Sequence, residues 1–260
     1  MSRLEGKVAL VTGGARGLGA AHARVFVGEG ARVVLGDVND AGAKEVAGSL
    51  GDAASSVRLD VTSAADWDAA VAHTVDLFGR LDVLVNVAGI CPVGRLVDME
   101  PEEFARVMTV NHFGDFLGIR AAAKVMGRGS VIINIGSLDA MRATVGLGAY
   151  ISSKYAIRGL SKTAAAELAP AGIRVLCLHP GAMDTPMMYE AGNELMELAG
   201  VPAGQVDIAA ALPQAIPVGR VADPAEIAGW SAFLASDAAA YATGVDILVD
   251  GGLSLGSASL

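Results

Sequence analysis

The chain has 260 residues, 53% hydrophobic and 18% charged, with 33 glycines spread along its length, which suits one well-buried domain and excludes a disordered or fibrous protein. Its formal net charge is −9, from 19 basic and 28 acidic residues with no Lys/Arg-rich run, which argues against nucleic acid, an anionic membrane surface or an acidic carrier protein as partner. No secretory leader is read at residues 1–6 and no apolar run is long enough to span a bilayer, so no membrane association and a cytoplasmic location are expected.

Short apolar runs alternate with longer alanine-rich segments of helical period. The first run, Val8-Ala9-Leu10-Val11, leads into Thr12-Gly13-Gly14-Ala15-Arg16-Gly17-Leu18-Gly19, a glycine-rich turn that opens a helix. Glycines there let backbone N–H groups approach a pyrophosphate, and the helix N-terminus adds partial positive charge. The second run, Arg32–Leu35, ends near Asp37 and Val38, with the acid twenty residues beyond Gly17. A carboxylate at that spacing accepts hydrogen bonds from the adenosine ribose and repels a 2′-phosphate, so NAD is favoured over NADP. Arg16 offers a weaker argument for NADP.

The third run, Val57–Leu59, delivers Asp60 and Val61, where the carboxylate is placed to receive an adenine amino group. The fourth, Val83–Val85, delivers Asn86-Val87-Ala88-Gly89, whose small residues leave room for a flat dinucleotide. Open α/β sheets bind ligands at successive strand C-termini of this kind. Helical segments are expected over 41–50, 64–78, 102–126 and 150–169. Asn111 falls inside the third of these, between Val110 and His112, where asparagine is a poor helix former and a hydrogen-bonding duty is expected.

The fifth run, Ser130–Ile135, brings Ser137 to a strand end, thirteen residues before Tyr150. Tyr150-Ile151-Ser152-Ser153-Lys154 places a phenol and an ammonium one helical turn apart, on one face. A nearby ammonium, together with a positive nicotinamide ring, favours phenolate, which moves tyrosine from its ordinary value near 10 towards a useful acid/base range. Arg174–Leu178 and Ile247–Val249 complete the strands, and 184–222 between them reads as a substrate lid. Met187, Met188, Leu195, Met196 and Leu198 of the lid, with Met141 and Leu147, suit a bulky hydrophobic alcohol or ketone. The same side chains would also serve simply to pack the lid onto the domain.

Strand–helix alternation calls for parallel pairing with helices on both faces, in one α/β domain over 1–260. Context disfavours a disulfide between Cys91 and Cys177, and no Cys/His spacing suggests a metal site. His22, His73, His112 and His179 are scattered and read as structural.

Taken together, the glycine turn, Asn86-x-Ala88-Gly89, Asn111, Ser137, Tyr150-x-x-x-Lys154, Pro180-Gly181, Thr185 and Val249-Asp250-Gly251-Gly252 resemble the short-chain dehydrogenases/reductases. The resemblance covers essentially the whole chain. It implies a Rossmann fold with a seven-stranded parallel sheet, assembled as a homotetramer. It implies Tyr150 as acid/base, Ser137 polarising the substrate oxygen, Lys154 on the nicotinamide ribose, and Asn111 holding a water in a relay. Met183 and Thr185 match positions that contact the carboxamide.

Two departures stand out: Val87 replaces a common asparagine, questioning a brace across the sheet, and Gly136 replaces a common serine, suggesting a looser turn before Ser137. The stretch Leu178–Met187 is similar to bacterial hydroxysteroid dehydrogenases of the family, which points to a hydroxysteroid or another cyclic or aryl alcohol. A 3-oxoacyl-carrier-protein reductase and a non-catalytic dinucleotide sensor are the alternatives.

Overall fold

The computed structural model describes residues 2–202 and 204–256. Seven parallel strands form one sheet in the order β3-β2-β1-β4-β5-β6-β7. They are β1 (Val8–Thr12), β2 (Arg32–Asp37), β3 (Ala54–Arg58), β4 (Val83–Asn86), β5 (Val131–Ile135), β6 (Arg174–Pro180) and β7 (Asp246–Val249). β1, β4, β5 and β6 are buried along their whole length. Their near-continuous aliphatic runs reflect helices on both faces.

Alternate side chains serve opposite layers. Val131 and Ile133 join the core under α1 (Gly17–Gly28) and α9 (Pro224–Ala235), with Phe26, Ile227 and Leu234. Ile132 joins the opposite core, with Trp67 of α3 (Ala64–Phe78) and Leu117 of α5 (Gly114–Ala122).

Three boundaries depart from expectation. β3 starts at Ala54 and stops at Arg58, because pairing with β2 runs from Val33↔Ala54 to Asp37↔Arg58. Its Ala-Ser-Ser start on a half-exposed edge gives little apolar signal, and Leu59 falls past the strand into the core. The second helix, α2, runs Asp40–Gly48 because the Asn39 side chain caps it, accepting from Gly42 N at 3.2 Å. The segment 102–126 becomes α4 (Pro101–Met108), a π-helical turn at Thr109–Phe113, and α5.

α6 (Gly148–Leu168) carries Tyr150 and Lys154. The connection expected over 184–222 contains α7 (Pro186–Leu198) and α8 (Ile208–Ala215), while Ala203 within it lies outside the described residues, as do Met1 and 257–260. No described helix is long and apolar enough to cross a membrane.

The strand order reverses beside β1, whose neighbours are β2 and β4, and this opens a crevice at the carboxyl edge. Thr12 Oγ1 ties the two sides together there by accepting from Val87 N at 2.9 Å and Ala88 N at 3.0 Å. Asn86 Nδ2 donates to Asn134 Oδ1 at 2.8 Å, bracing β4 to β5. The sheet is therefore braced without an asparagine at position 87. Thr12→Val keeps the shape but strands both N–H groups, and it should destabilise the fold by about 1–3 kcal/mol in urea unfolding, with Thr12→Ser largely intact.

Candidate active site

A cavity of about 920 Å³ occupies this crevice. Its phosphate end is built from backbone. Gly13 and Gly17 have φ of +66° and +54°, and a Cβ on Gly13 would lie 3.1 Å from Ala88 Cα. At Gly19 a Cβ would lie 2.0 Å from Gly13 O, so only glycine fits. No side chain caps α1, which leaves its first N–H groups free for an anion. Leu18 lines the same wall.

At the adenosine end, Asp37 Oδ2 accepts from Ala15 N at 3.0 Å and Oδ1 from Asn39 N at 2.8 Å. These two bonds fix a carboxylate on the cavity wall, with exposed Val38 beside it. Asp60 also lines the cavity, but its Oδ1 accepts from Thr62 N and Oγ1, at 2.9 and 2.7 Å, and so shapes the turn to Val61. Ala88, Gly89, Pro180, Gly181, Met183 and Thr185 line it as expected. Asn86 does not: it is buried beneath, engaged with Asn134. Arg16 lines the rim and pairs with Glu190 of α7 at 3.2 Å. The sequence alone did not single out Leu59, Ile90, Arg106, Thr109 and Val110, which complete the wall.

Ser137, Tyr150 and Lys154 meet at the opposite end. Lys154 is buried, its Nζ donating to Ile135 O at 2.8 Å and lying 5.6 Å from the Tyr150 ring centroid. Asn111 sits under the cavity in the π-helical turn, a feature that recurs at functional sites. Its Oδ1 accepts from Ile90 N at 2.8 Å, while Nδ2 donates to Ile90 O and Ser153 Oγ, each at 3.0 Å. A Cβ on Gly89 would meet Asn111 Oδ1 at 3.2 Å and Lys154 Nζ at 3.9 Å.

The electrostatics differ from the sequence expectation. Burial holds the Tyr150 phenol above its ordinary range, reinforced by the Cys91 thiol and opposed by a hydrogen bond from Ser137. Burial also pulls the Lys154 ammonium down. One helical turn of spacing to lysine therefore does not by itself make a phenolate; desolvation outweighs it.

Behind Ser137 lies a pair that the sequence did not reveal. His179 Nδ1 lies 3.3 Å from Ser137 N and Nε2 lies 3.0 Å from Asp246 Oδ1. Burial lowers the His179 pKa, favouring a neutral ring, whose one N–H serves either Asp246 from Nε2 or, from Nδ1, the Ser137 carbonyl oxygen 3.1 Å away. Burial would raise the Asp246 carboxyl, but Arg158, Lys162 and His179 hold it well below the usual carboxylate range. Cys177, His179 and Asp246 bring donor atoms within 4.8 Å of one another. Arg158 and Lys162 already place two cations on that carboxylate, at 3.2 and 2.9 Å, which suits a hydrogen-bond anchor and opposes a metal ion.

Both cysteines are free. Gly136 makes room for this anchor: a Cβ there would lie 2.3 Å from His179 Nδ1. The turn before Ser137 is thus tight, contrary to the looseness expected of glycine.

A second cavity of about 400 Å³ shares the Ser137–Tyr150 wall and extends to α7 and α8. Met187, Met188, Leu195 and Met196 line it, with Leu147 from the loop before α6. Leu198 instead packs on Gly146, and Met141 lines neither cavity. The polar exceptions near its mouth are Asp139 and Arg142, paired at 3.1 Å.

A family model described as enoyl-(acyl carrier protein) reductase matches residues 13–254. A 3-alpha-(or 20-beta)-hydroxysteroid dehydrogenase of Mycobacterium tuberculosis is 46% identical, over 98% of this chain and 92% of its own. A 2,5-dichloro-2,5-cyclohexadiene-1,4-diol dehydrogenase of Sphingobium indicum is 44% identical, over 98% and 99%. Among solved structures, a 3-ketoacyl-(acyl-carrier-protein) reductase from Brucella melitensis, complexed with NADH, matches with a TM-score of 0.84 at 37% identity, covering 96% and 99%.

The chain belongs to the short-chain dehydrogenase/reductase family. It is an alcohol/ketone oxidoreductase of the kind that uses a nicotinamide dinucleotide, and the open helix N-terminus, glycine cradle and fixed Asp37 fit that group. In this member, Ser137 is set by the His179–Asp246 anchor. Gly136→Ala forces His179 aside, so it should lower stability by about 1–3 kcal/mol in urea unfolding and reduce turnover through the displaced Ser137.

Proposed function

We propose that the protein is an NAD-dependent dehydrogenase that interconverts a bulky, hydrophobic secondary alcohol and its ketone, with a hydroxysteroid or cyclic alcohol as the substrate class. The observation that carries this reading is the methionine-lined cavity of about 400 Å³ that opens on Tyr150 and Ser137. Methionine adapts to large rigid apolar shapes. The Mycobacterium and Sphingobium relatives act, by their names, on a steroid and a cyclic diol. The carboxylate of Asp37 at the adenosine end supports NAD over NADP.

The glycine turn of Gly13, Gly17 and Gly19 and the Asp37 carboxylate would hold NAD, which when bound would supply the acceptor for the carbinol hydride. Tyr150 Oη takes the hydroxyl proton and Ser137 Oγ hydrogen-bonds the reacting oxygen. Lys154 holds the ribose edge and supplies positive charge under the phenol, while Asn111 keeps the loop after β4 and helix α6 in register and holds the relay water. Asn86 contributes beneath the cofactor by bracing β4. A homotetramer accords with the exposed aromatic residues Phe113 and Phe116 on one side and Trp230 and Phe233 on another. A 3-oxoacyl thioester is the competing substrate class, favoured by the Brucella neighbour and opposed by Asp37 and by the net charge of −9. A non-catalytic sensor is opposed by the complete set of Ser137, Tyr150 and Lys154.

Two outcomes are expected. Burial favours the protonated phenol, so kcat/KM for alcohol oxidation should climb as pH rises. Tyr150→Phe should lower it by about 100-fold or more while fluorescence still detects NADH binding; unchanged turnover would exclude Tyr150 as the base. Across steroid, alicyclic and aryl secondary alcohols and acetoacetyl-CoA, NADH absorbance should show the highest rates with a polycyclic or cyclic alcohol and NAD. Equal rates with NADP would remove the role given to Asp37, and preference for the thioester would favour the rival.

A further inference from the structure

A directional chain of hydrogen bonds runs beneath the site and ends on an unanswered acceptor. Ser161 Oγ donates to Ile157 O at 2.7 Å, so it accepts from Asn134 Nδ2, at 2.8 Å. Asn134 therefore turns its Oδ1 to Asn86 Nδ2, also at 2.8 Å. These choices leave Asn86 Oδ1 facing away, buried and without a donor. The second buried oxygen without a partner is Oδ2 of Asp115, in the first turn of α5, a residue only 5% exposed.

The two belong to one locality. Asp115 and Gly118 lie three residues apart on α5 and share a face, and a Cβ on Gly118 would lie 2.8 Å from Asn86 Oδ1. Two acceptors cannot satisfy one another unless one carries a proton, and an amide oxygen does not. Leaving both unsatisfied would cost the full desolvation penalty of each group.

We propose that Asp115 is a neutral carboxylic acid at neutral pH, with its proton directed to the Asn86 amide oxygen, and that it acts as a positioning residue for Lys154. The surroundings agree. Burial drives its carboxyl well above the ordinary value, with Lys154 pulling the other way. The groups that bear on it are the Lys154 ammonium from α6 and the Cys177 thiol from β6, itself pushed up to about 12 and so uncharged. On the α3 side, Trp67 packs against Gly118.

Lys154 makes no ion pair with Asp115, whose Oδ2 has no partner; Nζ bonds Ile135 O instead. A neutral Asp115 leaves the ammonium charge uncompensated and free to act on the phenol. An ionised Asp115 would draw Nζ down and cancel that charge. This catalytic consequence rests on the function proposed above, whereas the protonation state does not.

The test uses the whole protein and no substrate. Infrared difference spectra of wild type against Asp115→Asn should show a protonated-carboxyl carbonyl band at pH 7 that the substitution removes. A carboxylate band in its place overturns the proposal. Thermal unfolding gives a second reading. A carboxyl whose folded pKa is raised stabilises fully below the unfolded value of about 3.9, and that contribution is lost as pH rises towards the folded value. Asp115→Asn supplies an uncharged N–H to the same acceptor and escapes this loss, so its Tm should gain on wild type from pH 4 to pH 8. A difference that is flat, or that moves the other way, refutes a held proton. Should Asp115→Asn fail to fold, Asp115→Ser provides an uncharged donor for the same comparisons. An acid band in a protein with no dehydrogenase activity would sink the functional reading alone.

Discussion

Lys154 is a cation held in the interior of an apolar α/β domain, with one backbone carbonyl, Ile135 O, as its direct hydrogen-bond partner. Removing an ammonium from water is expensive, and a single neutral acceptor does not restore its hydration. The surrounding architecture can be read as the means of holding that charge. β5 ends where its last carbonyl meets Nζ, and Gly89 leaves the open side of the ammonium clear. Tyr150, one turn earlier on α6, presents its ring to the same charge. The stabilisation needed comes from the aliphatic cores on both faces of the sheet, far from the site.

Beneath that charge the fold places neutral, directional bonds in preference to ion pairs. Asn111 grips the loop after β4 and the second turn of α6 at once. The Asn86–Asn134–Ser161 chain ties β4, β5 and α6. Such bonds fix orientation without adding a counter-charge that would quench the lysine. Both carboxylates nearby are paired: Asp139 with Arg142, and Asp246 with Arg158 and Lys162, the latter reaching the site through the ring of His179. Position is transmitted to Ser137, and net charge is kept away.

Most residues that line the crevice were legible because they fall at the carboxyl ends of strands. Glycine is the only residue for the α1 turn, and Asp37 stands out as a carboxylate directly after β2. The seven strands were legible because buried parallel strands are almost wholly aliphatic; β3 was misplaced because an edge strand needs only one apolar face. The supporting shell was not legible. His179 lies 42 residues from Ser137 and Asp246 lies 67 from His179, so no spacing rule links them. Gly136 looked like slack in the sequence, and only the packed imidazole shows that it is a close approach. Asn86 was assigned to the cofactor from its strand end, yet the pleat turns it under the cavity to Asn134. The phenol's surroundings were not legible for a related reason: spacing reports which groups are neighbours, and burial, which spacing does not report, bears on which of them ionise.

The segment that carries α7 and α8 follows a different physical rule from the rest of the domain. Neither α7 nor α8 contains a fully buried residue, whereas every core helix does. Its ties to the cofactor side are Arg16–Glu190, both more than half exposed, and a 3.3 Å bond from Val93 N to Glu194. Exposed pairs of this sort contribute only about 0–1 kcal/mol. The apolar side chains of α7 that face the cavity have no core to enter in the free protein, so a hydrophobic substrate completes their burial. Transfer of apolar area is worth about 25 cal/mol per Å², so a large rigid apolar ligand would hold α7 and α8 to the domain more firmly than the polar ties do.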